Sequence, residues 1–308
     1  MVKVFSDNDL DGHGCVLVLQ HYYKNVDVTY TNPNAINAKI NKFIDLGQYK
    51  EYDYIFITDV SVNKKLANRI NDLNINVVLL DHHETAIKLN KFDWCHVVID
   101  NGEDLECGTS LVYNYLINEK QFEPNKNLET FVRTIQLYDT WMWKDKYNVE
   151  YPYDLSLLFN IYGGKEFNDI YLERLSNNFE LFTQFEKQLI EIEKKRINRY
   201  VNSKLSQINK IELKLKGKNY LVGLCFSDKY NDILGHEICN NNSNLDFSMM
   251  VSNMNSISFR TDKSNIDLAK ISKIFGGGGH ASAAGCQIKK ISKNKIIEYL
   301  LSDKEVKL

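Results

Sequence analysis

Three features are missing from this sequence of 308 residues: paired cysteines, long apolar runs and a marked excess of charge of either sign. The six cysteines are scattered without a C-x-x-C pair, which argues against a structural zinc site and against a disulfide framework. No run of about eighteen apolar residues occurs, so we expect no transmembrane helix and no membrane partner. The first residues include early acidic groups and no signal-peptide cleavage pattern, which predicts a cytoplasmic protein.

The near-neutral charge also limits the substrate. The net charge is −2, with 44% hydrophobic and 25% charged residues, as in an ordinary globular protein. A protein that tracks along polynucleotides usually presents a strongly basic surface, because neutralising phosphates supplies most of the nonspecific affinity. We therefore expect any nucleic-acid substrate to be short and held locally. The sequence also contains no Walker A segment, no G-x-G-x-x-G fingerprint and no Ser-His-Asp arrangement.

The first half of the chain alternates strand-like and helix-like segments. Near-continuous apolar strands separated by helices predict a parallel sheet with helices on both of its faces. The strands are predicted at 2–5, 26–30, 53–59 and 75–80, and the helices at 15–23, 36–48 and 62–73. We therefore predict an α/β fold, with polar clusters at the carboxyl ends of its strands, where open α/β sheets bind ligands.

A long amphipathic helix is predicted from 176 to 208, because apolar residues there recur at spacings of three and four. The segments beyond it indicate a second, smaller α/β domain. Its strands are predicted at 220–226, 246–251, 256–260 and 286–288, and its helices at 267–275 and 294–301. The expected division is a domain at 1–175, a helical linker at 176–210 and a second domain at 211–308.

Three carboxylates, Asp7, Asp9 and Asp11, alternate directly after the first predicted strand. Bare carboxylates at this density repel one another, and a divalent cation would relieve that repulsion. A solvated acidic turn or a helix cap is the alternative. An EF-hand loop is excluded, because Val18 stands where such a loop needs its glutamate and no helix precedes the cluster.

Three further segments place metal-binding residue types after strands or between aromatic residues. Asp59 ends an apolar strand and could bridge two ions, although such a residue often only caps a helix. His82 and His83 follow Asp81 at the next strand end, where one imidazole can bind a metal and its neighbour can face a phosphate. Asp139 lies between aromatic residues, a pattern also found in surface turns. Oxygen and nitrogen ligands suit Mn²⁺ or Mg²⁺, and two such ions support phosphoryl displacement.

A run of glycines near the end of the chain suggests an anion site. Gly277, Gly278 and Gly279 precede His280 in a segment rich in small residues, and a flexible linker is the alternative. Glycine lets backbone N–H groups approach a phosphate without side-chain interference. Arg260 ends a predicted strand and can pair with phosphate through two hydrogen bonds. We expect these residues to bind substrate.

In this order, the motifs resemble those of the DHH family of phosphoesterases. The segments that carry the resemblance are SDNDLDGHGC, ITDVSVN, LLDHHETAIKLN, LYDTWMW and the glycine-rich stretch 276–285, which is similar to a motif of the DHH-associated C-terminal domain. The resemblance implies an N-terminal metal-binding domain and a C-terminal substrate-binding domain. It also implies two metals, one held by Asp9 and Asp59 and the other by Asp11, Asp59, His82 and Asp139.

The family resemblance further implies that His83 contacts the scissile phosphate or donates a proton to it. Arg260, the glycine loop and His280 would hold the far phosphate or end of the substrate. The sequence departs from the family at Asp7, where a histidine is usual. We expect Asp7 to replace that histidine as a metal ligand.

The function predicted is that of a two-metal phosphodiesterase or exonuclease that hydrolyses short oligoribonucleotides to mononucleotides. The expected cofactor is Mn²⁺, with Mg²⁺ as the alternative. The expected partners are short RNA oligonucleotides or dinucleotides, with 3′-phosphoadenosine 5′-phosphate and a homodimer left open. Two other hypotheses are an exonuclease for long single-stranded DNA and, because of Asp7, a weakened nucleotide-sequestering protein.

Overall fold

The computed structural model describes residues 1–123, 125–177, 179–252 and 256–287. The chain divides into two compact units, 1–191 and 192–308. The division falls within the helix Gln184–Leu205. This helix is shorter than the predicted 176–208, and residue 176 is instead the last residue of the preceding helix, Gly164–Ser176. None of the helices within the described ranges has both the length and the apolar character required to cross a membrane.

The first unit contains five strands and the helices around them. In chain order its elements are β1 (Val2–Asp7), α1 (Leu10–Tyr22), β2 (Val26–Thr31), α2 (Ile36–Asp45), β3 (Tyr54–Thr58), α3 (Lys64–Asp72), β4 (Val77–Asp81), β5 (Cys95–Val97), α4 (Gly108–Lys120), α5 (Lys126–Asp139), α6 (Met142–Asp145), α7 (Tyr151–Tyr162), α8 (Gly164–Ser176) and the first part of α9 (Gln184–Leu205). Short 3₁₀ turns at Gln48–Glu51 and Glu84–Lys91 lie between them.

The five strands form one parallel sheet in the order β2-β1-β3-β4-β5. Side chains alternate along each strand, so the three central strands, β1, β3 and β4, contribute to two cores. In β3, for example, Phe56 belongs to the core on one face, whereas Ile55 and Ile57 belong to the core on the other. Both faces are covered by helices, which confirms the predicted parallel α/β fold.

The strand order places a switch point between β1 and β3. The chain leaves β1 toward β2 on one side and later returns to β3 on the other, so the connections diverge at the carboxyl ends of these neighbouring strands. Ser6 pairs with Thr58 in the register of the two strands. The residues that follow them, Asp7 and Asp59, therefore lie at the crevice where open α/β sheets bind ligands.

The second unit has a mixed sheet with helices. Its elements after α9 are β6 (Asn209–Leu215), β7 (Lys218–Phe226), α10 (Asn231–Asn240), β8 (Phe247–Ser252), β9 (Ser256–Arg260), α11 (Leu268–Ile274), β10 (Gly278–Gly279) and β11 (Ala283–Gln287). The sheet order is β10-β11-β9-β8-β7-β6, and only β7 and β8 are parallel. The predicted second α/β domain is confirmed, and the helix predicted at 294–301 lies outside the described residues.

Candidate metal centre

The first three carboxylates occupy the turn from β1 into α1. Asp7 is the last residue of the strand, and Asp9 is the N-cap of the helix, with its side chain accepting a hydrogen bond from the Gly12 amide at 3.0 Å. Asp11 lies in the first turn of α1. Asp9 therefore caps the helix, which was the alternative role predicted for this cluster. All three carboxylates nevertheless lie near the same end of β1, because only one residue separates each from the next.

Asp11 is buried and is held by the start of α4. The Gly108 amide donates to Asp11 Oδ2 at 2.6 Å, and the Thr109 amide donates to Oδ1 at 2.8 Å. The Thr109 hydroxyl donates to the Asp11 carbonyl at 2.8 Å. These three hydrogen bonds hold the Asp11 side chain and backbone in place without a cationic side chain.

Gly108 is required by close packing at this point. A Cβ on it would lie 2.7 Å from Asp59 Cβ and 3.0 Å from both Asp11 Oδ2 and Cys15 Sγ. Only glycine therefore lets the first turn of α4 approach the carboxylates closely enough to donate its amides. Sequence reasoning missed Gly108 and Thr109. Their only local signal is a glycine followed by a hydroxyl residue at a helix start.

Asp59 follows β3 in a left-handed conformation, with φ of 56°, which is uncommon for a non-glycine residue. Its amide donates to the Leu80 carbonyl at 2.9 Å, which anchors the turn to β4. The side chain is only 2% exposed, and its Oδ2 atom accepts no hydrogen bond from any residue within the described ranges. A buried carboxylate oxygen without a donor calls for a cation.

His82 joins Asp59 to two other carboxylates. Its Nε2 atom lies 3.4 Å from Asp59 Oδ1, 3.4 Å from Asp139 Oδ2 and 3.9 Å from Asp11 Oδ2. Asp139 is the last residue of α5 rather than part of a surface turn, and its Oδ2 atom is also buried with no hydrogen bond among the described residues. Three carboxylates from separate parts of the chain therefore converge around one imidazole nitrogen.

Three overlapping sets of possible ligand atoms occur among the described residues, and within each set the atoms lie within 4.8 Å of one another. Asp7, Asp9 and Asp59 form the first set, and Asp11, His82 and Asp139 form the second. The third consists of Asp59, Asp81, His82 and His83, and hydrogen bonds from Ser61 and His82 already occupy its Asp81 carboxylate. Asp59 is adjacent to the second set through His82. The buried oxygens without donors and the mixture of oxygen and nitrogen ligands fit divalent Mn²⁺ or Mg²⁺ at both positions.

The electrostatics of the centre also favour cations. Burial, together with the charges of Asp11, Asp9 and Asp139, raises the pKa of Asp59 well above its usual value. Burial raises the pKa of Asp139 to about 7, with Asp11 adding to the effect and His82 opposing it. Burial and the neighbouring Asp9 raise the pKa of Asp7 to about 6. Each shift means that folding disfavours the carboxylate form until positive charge is supplied.

These shifts predict how the stability of the metal-free protein depends on pH. A carboxyl group with a raised folded-state pKa contributes stability that is present below its unfolded pKa near 4 and is lost as pH rises through its folded value. For Asp7 and Asp139 those values are about 6 and about 7. We expect the free energy of unfolding to fall by at least about 1 kcal/mol between pH 5 and pH 8 in a chelator.

Urea unfolding at several pH values, with chelator or with Mn²⁺, measures this effect. Mn²⁺ should restore the stability lost at pH 8, because it binds only the folded state. The double variant Asp7→Asn/Asp139→Asn should show a weaker pH dependence without metal. Equal slopes for the parent protein and this variant would contradict the assignment of the charge cluster.

The second histidine of the pair is oriented by Asp81. Asp81 Oδ1 lies 2.7 Å from His83 Nδ1 and accepts a hydrogen bond from the His82 amide at 2.8 Å, while the Ser61 hydroxyl donates to Oδ2. Burial lowers the pKa of His83, but the hydrogen bond and charge of Asp81 outweigh it and raise the pKa to about 9. Sequence reasoning assigned no role to Asp81, whose carboxylate is occupied by these donors.

In the second unit, Arg260 lies beside the turn that carries His280. Arg260 pairs with Ala283 across β9 and β11, and the His280 amide donates to the Ala283 carbonyl at 2.7 Å. The glycine run is not a simple loop, since Gly278 and Gly279 form β10. A Cβ on Gly277 would lie 2.1 Å from the Gly285 carbonyl oxygen, so close packing accounts for that glycine.

Comparison with known proteins gives a consistent family. Residues 1–136 match the N-terminal domain of the DHH family. Oligoribonuclease NrnB of Bacillus subtilis is 33% identical, over 94% of this chain and 73% of that protein. A 3′,5′-cyclic-nucleotide phosphodiesterase of Helicobacter pylori is 23% identical, over 94% of this chain and 93% of its own length. The structure of exonuclease RecJ bound to manganese has the same fold, with a TM-score of 0.51 and 14% identity over 96% of this chain and 88% of that one.

Proposed function

Because this chain belongs to the DHH family, we propose that it is a metal-dependent phosphodiesterase that hydrolyses short oligoribonucleotides to mononucleotides. One observation carries the proposal: a buried oxygen of Asp59 accepts no hydrogen bond from the described residues, and Asp59 shares one set of possible ligand atoms with Asp7 and Asp9 and another with His82. Such an arrangement suits two cations bridged by one carboxylate. The identity with an oligoribonuclease over most of both chains supports RNA as the substrate.

We propose that Asp7, Asp9 and Asp59 hold one Mn²⁺ ion and that Asp11, Asp59, His82 and Asp139 hold the other. When bound, the ions would lower the pKa of a water molecule and stabilise negative charge on the phosphate. Mg²⁺ would serve the same role with these oxygen-rich ligands. The protein contributes the fixed positions of the ligands, including the two amides at the start of α4 that hold Asp11.

His83 is proposed to act on the substrate itself. Its Nδ1 atom is held by Asp81, and we propose that its Nε2 atom addresses the phosphate. In the metal-free protein the hydrogen bond and charge of Asp81 raise the pKa of the ring to about 9, which favours its protonated form near neutral pH. A protonated imidazole can donate a hydrogen bond to a phosphate oxygen and a proton to the leaving oxygen.

The decisive experiment is an assay of length and chemistry. Purified protein with Mn²⁺ should convert labelled RNA of two to five residues to mononucleotides, and activity should decline toward thirty residues. The near-neutral net charge favours this outcome, because long strands need a basic track. A preference for long single-stranded DNA would support the RecJ-like alternative, and stoichiometric binding without turnover would support a sequestering protein.

We also propose that the protein acts in the cytoplasm, where short RNA fragments arise.

We propose that Arg260, the glycine segment at Gly277–Gly279 and His280 bind a phosphate of the RNA away from the cut. Arg260→Ala should then raise KM for a five-residue RNA by roughly tenfold to a hundredfold, because a charge-assisted hydrogen bond contributes about 1.5–3 kcal/mol. Hydrolysis of bis-p-nitrophenyl phosphate, which has no second nucleotide, should be unchanged.

The matched control for Arg260→Ala is Lys214→Ala. Lys214 is exposed on β6, at the opposite edge of the same sheet. The substitution Lys214→Ala should alter neither KM nor the melting temperature. The Arg260 stem packs near Gly235, so thermal melts must accompany the kinetics. Equal loss on RNA and on the small diester would place Arg260 at the chemistry instead.

A further inference from the structure

A cavity of about 560 Å³ lies within the first unit, beside the residues that orient His83. This volume falls within the range of roughly 300–1,000 Å³ typical of small-molecule sites. Its walls come from the segment between β3 and α3, from α2 and from the turn after Asp81-His82-His83. The polar residues that matter here are Ser61, Asn63, Lys64, Thr85, Lys88 and Lys91.

The charge of the cavity is of one sign. Among the described residues that line it, three are lysines and none is acidic, although the whole chain has a net charge of −2. Asn63 is the N-cap of α3, so the positive end of that helix dipole also lies at the wall. Lys91 Nζ is 3.4 Å from Asn68 Oδ1, which leaves Lys64 and Lys88 as the cations to test. The cavity is therefore suited to an anion.

The rest of the lining suits more than a bare anion. Val62, Ala86 and Leu89 are buried and give the cavity an apolar floor. The Asn63 amide donates to Asn37 Oδ1 at 2.8 Å, which fixes the two asparagines that border it. Apolar surface with a few fixed amides and cations is the combination that binds a sugar or base together with its phosphate.

Ser61 joins this cavity to the metal centre. It lines the cavity, and its hydroxyl donates to the Asp81 carboxylate that holds His83. It also follows Asp59 by two residues. A ligand in the cavity would therefore lie one side chain away from the Asp81–His83 pair, close to the phosphate on which His83 is proposed to act.

We propose that this cavity binds the nucleotide next to the scissile phosphate, with Lys64 and Lys88 on that nucleotide's further phosphate and the apolar floor beneath its sugar or base. The proposal rests on the proposed function and adds a second substrate site, within the first unit. It predicts a preference for dinucleotides that carry a terminal phosphate on the nucleotide bound in the cavity.

The kinetic test uses Lys64→Ala/Lys88→Ala, with Lys65→Ala as the control. Lys65 is exposed and adjacent in sequence but does not line the cavity. The substrates are diadenosine dinucleotides with a 5′-phosphate, with a 3′-phosphate and with neither, together with bis-p-nitrophenyl phosphate. The double variant should raise KM at least about tenfold for one phosphorylated dinucleotide. The unphosphorylated dinucleotide and the small diester should change less than about twofold, and Lys65→Ala should behave as the parent.

A binding measurement separates this proposal from the proposed function. Metal-free parent protein should bind adenosine monophosphate in calorimetry, and the double lysine variant should bind it at least about tenfold more weakly. If the parent hydrolyses no RNA but this lysine-dependent binding is present, the proposed function fails and the cavity site stands. Unchanged binding and unchanged KM in the double variant would overturn the cavity site. Equal affinity for inorganic phosphate and adenosine monophosphate would overturn its assignment to a nucleotide.

Discussion

Asp59→Asn should abolish hydrolysis while making the metal-free protein more stable. The proposed bridging role gives Asp59 a part in holding both ions, and losing it should lower kcat by at least about a thousandfold, since metals supply several kcal/mol of charge stabilisation. In the absence of metal, burial and the charges of neighbouring carboxylates raise the pKa of Asp59, so folding must either bury its charge or take up a proton, and a neutral amide avoids that cost. We expect a gain in unfolding free energy on the order of 1 kcal/mol.

Asparagine is the appropriate substitution because of the backbone. At φ of 56°, Asp59 occupies the left-handed region, which asparagine tolerates and alanine does not. Asp59→Ala should therefore lose both activity and stability, while Asp59→Asn loses activity alone. Asp93→Asn, at an exposed position, is the control and should change neither. Near-parental turnover of Asp59→Asn with Mn²⁺, or unchanged Mn²⁺ affinity in calorimetry, would rule out the bridging role.

The parallel sheet could be predicted because its three central strands, β1, β3 and β4, are buried on both faces. Such strands are short, continuous apolar runs, and their ends are marked by polar residues at Asp7, Asp59 and Asp81. The helices between 108 and 176 were not predicted. In α4 the buried residues run almost without interruption from Gly108 to Tyr113, so no amphipathic period appears.

Not every omission had a physical cause. In α5 the buried residues Leu128, Phe131, Val132 and Ile135 follow helical spacing, so this helix and the position of Asp139 at its end were open to prediction. The proximity of Asp11 to the start of α4 was not. The two segments are separated by 97 residues at Gly108, and no local pattern reports a contact over that distance.

The glycine segment illustrates how one composition supports two interpretations. A run of glycines can provide backbone amides for an anion, or it can allow strands and helices to approach closely. Gly277 and Gly279 both lie where a Cβ would collide with backbone atoms of β11. This packing accounts for those glycines without a ligand, so binding of substrate there depends on the test of Arg260.

Asp81→Asn should lower kcat by roughly a hundredfold or more, although Asp81 is not proposed to hold a metal. Proton transfer by a positioned side chain contributes about 10²–10⁴-fold to rate. Asp81 fixes the orientation of His83 through Nδ1 and raises its pKa to about 9. Asparagine would keep a hydrogen-bonding oxygen but remove the negative charge that keeps the ring protonated.

The pH profile distinguishes this role from a merely structural one. If protonated His83 is required, activity falls as pH rises through the pKa of that ring. With Asp81 present, activity should fall only at alkaline pH, because the pKa of the His83 ring is raised. In Asp81→Asn, the pH at which activity falls should move toward the ordinary histidine pKa near 6.5. His83→Gln should lose a similar factor in kcat and remove this limit altogether. Ser61→Ala, which deletes one hydrogen-bond donor to Asp81 but keeps the charge of Asp81, should shift the alkaline limit little.

One outcome would contradict this role. If Asp81→Asn reduces kcat and Mn²⁺ affinity but leaves the alkaline limit unchanged, Asp81 supports the metal ligands rather than His83.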